Sequence, residues 1–233
     1  VVQAFDRLRE NLGITKVHTL IGGSLGGQQV LEWAIQKPDV FERIIPVACN
    51  AFHSPWGIAI NESQRMAIAA DPTWTKKDAR AGAEGMKAAR AIAMVSFRSY
   101  EIYNKNQPEV ASEKLEGYRA ASYHKYQGAK LANRFNAFSY WTLLNAMDNH
   151  HVGRNRGDVA EVLSTIKAKT LVIGVSSDLL FPIQEQRYLA KAIPGATFEV
   201  IESPYGHDGF LVEFEQFKEL IRKFLKVKEN ILL

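Results

Sequence analysis

A serine, an aspartate and a histidine, in that chain order and each just past a strand-like run, are the residues of this 233-residue chain best suited to chemistry. Ser24 lies in Gly22-x-Ser24-x-Gly26, between the apolar run Val17 to Ile21 and the helix-periodic run Val30-Leu31-x-x-Ala34-Ile35. A strand that turns sharply into a helix strains the backbone at the bend and lifts the serine hydroxyl clear of the sheet. Bulky residues two before and two after would crowd that turn, which favours glycine at both places. The amide of Leu25, first in the helix, then points at any oxyanion that forms on the attacked carbonyl. A serine nucleophile needs a base, and the base needs a carboxylate to orient it. Asp178 follows the run ending at Val175, and His207 follows the run ending at Ile201. Taken singly, a loop aspartate reads as a turn former and a loop histidine as a surface residue. Jointly, in the order serine, acid, histidine, they spell nucleophilic acyl chemistry.

These three loops share one rim only if the strands before them are parallel and adjacent. The chain supports that arrangement. Val2 to Leu12 places Phe5, Leu8 and Leu12 on one helix face, with Gly13 as a stop. Lys16 to Ile21 reads as a buried strand with His18 in it, Gly27 to Gln36 as the elbow helix, and Arg43 to Ala48 as the next strand despite Pro46. From Trp56 to Arg156 strand-like runs vanish. Helices are expected over 61–70, 79–95, 113–125 and 129–147, an inserted helical lid. The α/β pattern resumes with a strand over 168–175, a helix over 183–193, a strand over 196–201 and a closing helix over 212–226. The division is therefore core 1–55, lid 56–156 and core 157–233, in a mostly parallel, doubly wound α/β fold with ligands at the carboxyl ends of its strands.

With 46% hydrophobic and 23% charged residues the chain can bury a core, and no apolar run reaches the roughly 20 residues of a membrane helix. A net charge of +4 is spread thinly. Its densest part, Lys76 to Arg90, alternates with alanines and acids, while Lys16, Lys167, Lys169 and the Lys223–Lys228 group suit helix ends and surface, so no nucleic-acid partner is expected. The single cysteine, Cys49, excludes an internal disulfide, fits a reducing cytoplasm and reads as a buried structural thiol. Asp148-x-His150-His151 lacks metal-ligand spacing and suits a polar helix end; neither a metal nor a bound cofactor is expected. The chain opens at Val1 straight into a helical pattern, which suggests a natural start further upstream.

The block Gly22-Gly23-Ser24-Leu25-Gly26-Gly27 with Leu31-Glu32-Trp33-Ala34 resembles the elbow of the homoserine O-acetyltransferases of methionine biosynthesis. Asn61-Glu62-x-x-Arg65-x-Ala67-Ile68, Asp71-Pro72-x-Trp74 and Gly85-Met86-x-x-Ala89-Arg90 continue the likeness. Tyr126-Gln127-Gly128, Arg134-Phe135, Ser177-Asp178-x-Leu180-Phe181-Pro182 and Gly206-His207-Asp208-x-Phe210-Leu211 complete it. The resemblance implies an α/β-hydrolase fold with a helical lid, Ser24, Asp178 and His207 as triad, and acetyl transfer from acetyl-CoA to L-homoserine through acetyl-Ser24. It further implies Arg90 as the holder of the acceptor's carboxylate, Asp208 as the holder of its amine, and a homodimer through lid faces bearing Tyr100, Tyr103, Tyr118, Tyr123 and Tyr126. Succinyl transfer, serine as acceptor, or a serine esterase of the same fold are the competing expectations. Where the family has tyrosine seven residues after the arginine, this chain has Phe97, and where it has Arg-Phe-Asp-Ala-Asn this chain has Arg134-Phe135-Asn136-Ala137-Phe138. The family's N-terminal strands, and the loop that gives a second oxyanion donor, have no counterpart within these residues.

Overall fold

Four parallel strands, β1 (Leu20–Gly23), β2 (Arg43–Val47), β3 (Lys169–Val175) and β4 (Thr197–Ile201), lie in the order β1-β2-β3-β4 in a computed structural model that describes residues 1–111 and 113–226. Lys228, one of the expected surface lysines, and the end of the 157–233 segment lie outside those residues. Register runs Leu20 opposite Ile44, Ile44 opposite Thr170, and Leu171 opposite Thr197. Pro46 has no N–H to give, yet β2 stays central. The ladder to β3 is made at Arg43, Ile44 and Val47, on either side of it.

Alternation along the strands sorts two cores. Ile44 and Val172 face one layer with Val30, Leu31 and Ala34 of α2 (Leu25–Gln36), Val162 and Leu163 of α8 (Val159–Ser164), and Leu189 of α9 (Ile183–Ala192). Ile45, Leu171, Ile173 and Val175 face the other, against Phe217, Leu220, Ile221 and Phe224 of α11 (Phe214–Leu225). Helices on both faces of a parallel sheet are the doubly wound arrangement.

Between β2 and β3 run α3 (Pro55–Ala69), α4 (Ala83–Phe97), α5 (Tyr100–Asn106), α6 (Arg119–Ala132) and α7 (Ala137–Asp148), in chain order. They have a core of their own in Ile68, Met86, Ala89, Leu131 and Ala137, with Trp74 stacked between Phe138 and Trp141. Asp71 secures the start of α4: its carboxylate accepts from the Gly85 N–H (2.9 Å) and from Thr73 N–H (2.8 Å) and Oγ1–H (2.6 Å), which holds its pKa down at about 2.

Several expectations need correction. The helices expected over 113–125 and 129–147 are α6 and α7, each starting several residues later; α7 begins where Asn136 caps it by accepting from the Ser139 N–H. The strand expected from Lys16 begins at Leu20. His18 lies in a bend rather than a strand, and Ile21 on the outer strand is 46% exposed. In α1 (Val2–Asn11) the face bearing Phe5, Leu8 and Leu12 is exposed. The buried residues of that helix are Val2 and Asp6, and Asp6 accepts from Arg9 Nε (2.8 Å) and Trp33 Nε1 (3.2 Å) and pairs with Lys37 (2.9 Å), while the Phe5 ring lies 5.9 Å from that of Trp33. Helices α5 and α8 and the short α10 (Gly209–Val212) were not anticipated.

Candidate active site

At Ser24 the backbone turns through φ 56°, ψ −125°, a conformation unfavourable for a residue with a side chain. Two things hold it there. Its N–H donates to the Val47 carbonyl (2.9 Å), and its own carbonyl accepts from the Gln28 N–H (3.1 Å) of α2. A Cβ on Gly22 would lie 2.4 Å from the Gly26 carbonyl oxygen, so glycine is required there. The steric argument fails at Gly26, whose missing Cβ would meet nothing within 4 Å. Gly23 and Gly27 leave room instead for the Phe210 ring and the Cys49 side chain. Because α2 begins at Leu25, its amide is one of the unpaired donors at the helix start, beside the Ser24 hydroxyl.

Asp178 and His207 come to the serine from the ends of β3 and β4. His207 Nε2 is 2.9 Å from Ser24 Oγ, and His207 Nδ1 is 2.7 Å from Asp178 Oδ2. The second carboxylate oxygen, Oδ1, accepts from the N–H groups of Leu180 (2.8 Å) and Phe181 (2.9 Å). Three of the four lone-pair directions are therefore taken, and the imidazole must present Nδ1–H to the acid and an open Nε2 to the serine. Ser177 joins the two loops: its hydroxyl donates to the Ser203 carbonyl (2.5 Å) and accepts from the Gly206 N–H (2.9 Å). Three phenyl rings, Phe97, Phe181 and Phe210, stand 5.8, 5.3 and 5.6 Å from the imidazole, centroid to centroid. They keep water from the His207–Asp178 pair, where a lower local dielectric strengthens it.

A strained serine on a strand-to-helix turn, hydrogen-bonded to a histidine that an acid orients, is an arrangement for covalent acyl chemistry. An alpha/beta hydrolase fold family model matches residues 1–214. The chain belongs to the alpha/beta hydrolase fold family. Within that family it is 50% identical over 224 residues to a homoserine O-acetyltransferase of Cyclobacterium marinum, covering 96% of this chain and 64% of that protein. Two solved structures extend the picture. A homoserine O-acetyltransferase from Staphylococcus aureus is 29% identical with a TM-score of 0.81, covering 99% of this chain and 65% of that one. An acetylester hydrolase from Corynebacterium glutamicum is 26% identical, also with a TM-score of 0.81, covering 97% and 65%. The chain thus spans just under two thirds of the length of these relatives.

Around Ser24, Asp178 and His207 of this alpha/beta hydrolase fold the remaining expected residues are spread over the helices between β2 and β3 and the loop after β4. Arg90, on α4, lays its guanidinium 5.0 Å from the centre of the Phe97 ring and pairs with no carboxylate among the described residues. Asp208, next to His207, is already paired: its Oδ2 lies 3.1 Å from Arg98 Nη2. No signal in the sequence announced that pair, since the two residues belong to distant segments. His53 likewise acquires a carboxylate, Asp148, at 3.7 Å, and Arg65 reaches the same acid at 2.6 Å, while burial holds the pKa of His53 down. His150 and His151 sit at the foot of α7 as the expected polar helix end, and no metal-holding cluster occurs among the described residues.

Behind the elbow lies a buried polar relay that the sequence did not reveal. Gln28 donates to Asn50 Oδ1 (2.9 Å), Asn50 donates to Glu185 (3.0 Å), and His150 Nε2 meets the Asn50 carbonyl (2.9 Å). Burial pushes the Glu185 carboxyl up to about 7 and the His150 imidazole down to about 4. Cys49 is fully buried, and desolvation drives its thiol far above the usual range. In the lid, Tyr100, Tyr118 and Tyr126 are exposed, whereas Tyr103 and Tyr123 pack against His124.

Proposed function

We propose that the protein moves an acetyl group from acetyl-CoA to the hydroxyl of L-homoserine, a step of methionine biosynthesis, through an acetyl-Ser24 intermediate. The observation that carries the reading is the Ser24–His207–Asp178 chain of contacts at 2.9 and 2.7 Å, set at the start of α2. His207 Nε2 takes the hydroxyl proton as Ser24 Oγ attacks the thioester carbonyl, and the Leu25 amide receives the developing oxyanion. The C–S bond breaks, and the leaving thiolate collects the proton from His207. Homoserine then gives its hydroxyl proton to His207 and attacks the acetyl ester. Collapse returns the Ser24 oxygen, which takes the proton back. Arg90, with no carboxylate partner of its own among the described residues, is suited to the acceptor's carboxylate, and Asp208 to its ammonium. No metal or bound cofactor enters these steps. Exposed lid tyrosines suit a homodimer through α5 and α6, and a lone buried thiol suits a cytoplasmic site of action.

The identity to a homoserine O-acetyltransferase supports this acceptor, while the likeness to an acetylester hydrolase supports a second reading, with water in the acceptor's place. Thiol release from acetyl-CoA, followed with and without homoserine, separates the two. Homoserine-dependent release is expected, along with its loss in Ser24→Ala. Release indifferent to homoserine would establish hydrolysis, release faster with serine or succinyl-CoA would name a different substrate pair, and an undiminished Ser24→Ala would dismiss every serine mechanism.

A further inference from the structure

The seam between the lid and the histidine loop is fastened at three points, and all three come from the turn that follows α4. Ser99 Oγ donates to the Pro204 carbonyl on one side of His207. Gly206 presses so closely on this turn that a Cβ there would lie 2.8 Å from the Phe97 carbonyl oxygen and 2.9 Å from the Arg98 carbonyl carbon. Its φ of 69° excludes most side chains as well. On the far side of His207, Arg98 Nη2 holds Asp208 Oδ2 at 3.1 Å. The pair is only partly open to water, with side-chain exposures of 22% and 20%. Arg98 Nε, buried, has no partner among the described residues.

From this geometry we infer that Arg98 is a positioning residue for the acceptor: by holding Oδ2 of Asp208, it leaves Oδ1 turned to receive the acceptor's ammonium. The inference rests on the acetyl-transfer reading above and deepens it. A short carboxylate without a partner samples several rotamers, and a charge-assisted contact to a guanidinium fixes one of them. Arg98 does not touch the reacting atoms. Its influence reaches the chemistry through Asp208, and so through binding of the acceptor rather than through acylation of Ser24. It also makes the acceptor's recognition depend on the lid, because α4 belongs to the lid and Asp208 to the core.

The experiment uses the polypeptide as its gene encodes it and compares wild type with Arg98→Met and Arg98→Lys. Two acceptors are used: homoserine, and 4-hydroxybutanoate, which has the same chain and carboxylate without the ammonium. For Arg98→Met the KM for homoserine is expected to rise about tenfold or more, the cost of a misaligned charged hydrogen bond. The burst of thiol release that reports Ser24 acetylation, and kcat/KM for 4-hydroxybutanoate, are expected to stay at wild-type values. Arg98→Lys, which keeps the charge, is expected to recover part of the loss. An unchanged or lowered homoserine KM in Arg98→Met overturns the inference, and so does an equal loss with both acceptors, the mark of a purely structural role. A wild-type protein that acetylates neither acceptor overturns the parent reading along with it.

Discussion

Replacing Asp178 with asparagine tests the site at its most constrained atom. Asp178 Oδ1 takes two backbone N–H groups, from Leu180 and Phe181, and Oδ2 takes His207 Nδ1–H. An asparagine in the same rotamer must keep its carbonyl oxygen toward the two backbone donors, since turning the amide over would set N–H against N–H in a buried place. Its NH2 then faces His207 Nδ1, which has to become an acceptor. The imidazole proton moves to Nε2, the atom that should take the Ser24 proton, and the base is disabled with the geometry intact. In serine proteases the same change costs about 10⁴ in kcat, and a loss of that order is expected here. Steady-state thiol release from acetyl-CoA measures it, and an unchanged melting temperature shows that the fold persists. Asp178→Asn within about tenfold of wild type would refute the reasoning, because it would mean that Asp178 does not set the tautomer.

Two further outcomes follow from the elbow and from the polar relay behind it. Gly22→Ala forces a Cβ to within 2.4 Å of the Gly26 carbonyl and should displace the elbow, with activity falling more than a hundredfold in the acyl-transfer assay, while Gly26→Ala meets no neighbour and should melt at or above the wild-type temperature. Glu185 and His150 should give opposite pH slopes of stability. The Glu185 carboxyl, raised to about 7 from an ordinary 4.5, holds its proton longer in the native state, so its contribution falls as pH rises through that window. The His150 imidazole, lowered to about 4 from an ordinary 6.5, sheds its proton earlier in the native state, so its contribution rises with pH. Between about pH 4.5 and 6.5 the two oppose each other. Melting temperatures there should climb with pH in Glu185→Gln and fall in His150→Gln; parallel slopes in both variants would contradict the assignment.

The parts of the fold that were legible in the sequence are those whose cause is local. A strand, a small residue, a serine and a helix lie within a dozen positions, and the elbow follows from their sterics. Asp178 and His207 were legible because each is tied to the end of its own strand. Lid helix limits were not, because residues 113–147 are rich in helix formers throughout, and the breaks depend on single caps such as Asn136. The face of α1 that carries Phe5, Leu8 and Leu12 has the period of a buried stripe, yet the buried residues are Val2 and Asp6, and Asp6 finds its partners Trp33 and Lys37 outside any periodic pattern. Arg98 with Asp208, and His53 with Asp148, are meetings of distant segments made by tertiary packing, and no spacing rule anticipates them.

Cys49, wedged against Gly27 at the back of the elbow and shut off from water, gives the molecule a built-in clock. It is the sole thiol of these 233 residues, and an alkylating reagent reaches it only when the packing around it, α2 and α9 included, opens. Under conditions where alkylation outpaces reclosure, the labelling rate equals the rate at which the packing behind Ser24 opens. Where closing is faster, the same trace yields the free energy of opening instead. A ligand that grips the closed elbow would slow the trace without touching the sulfur, so occupancy of the catalytic rim becomes measurable with no turnover at all.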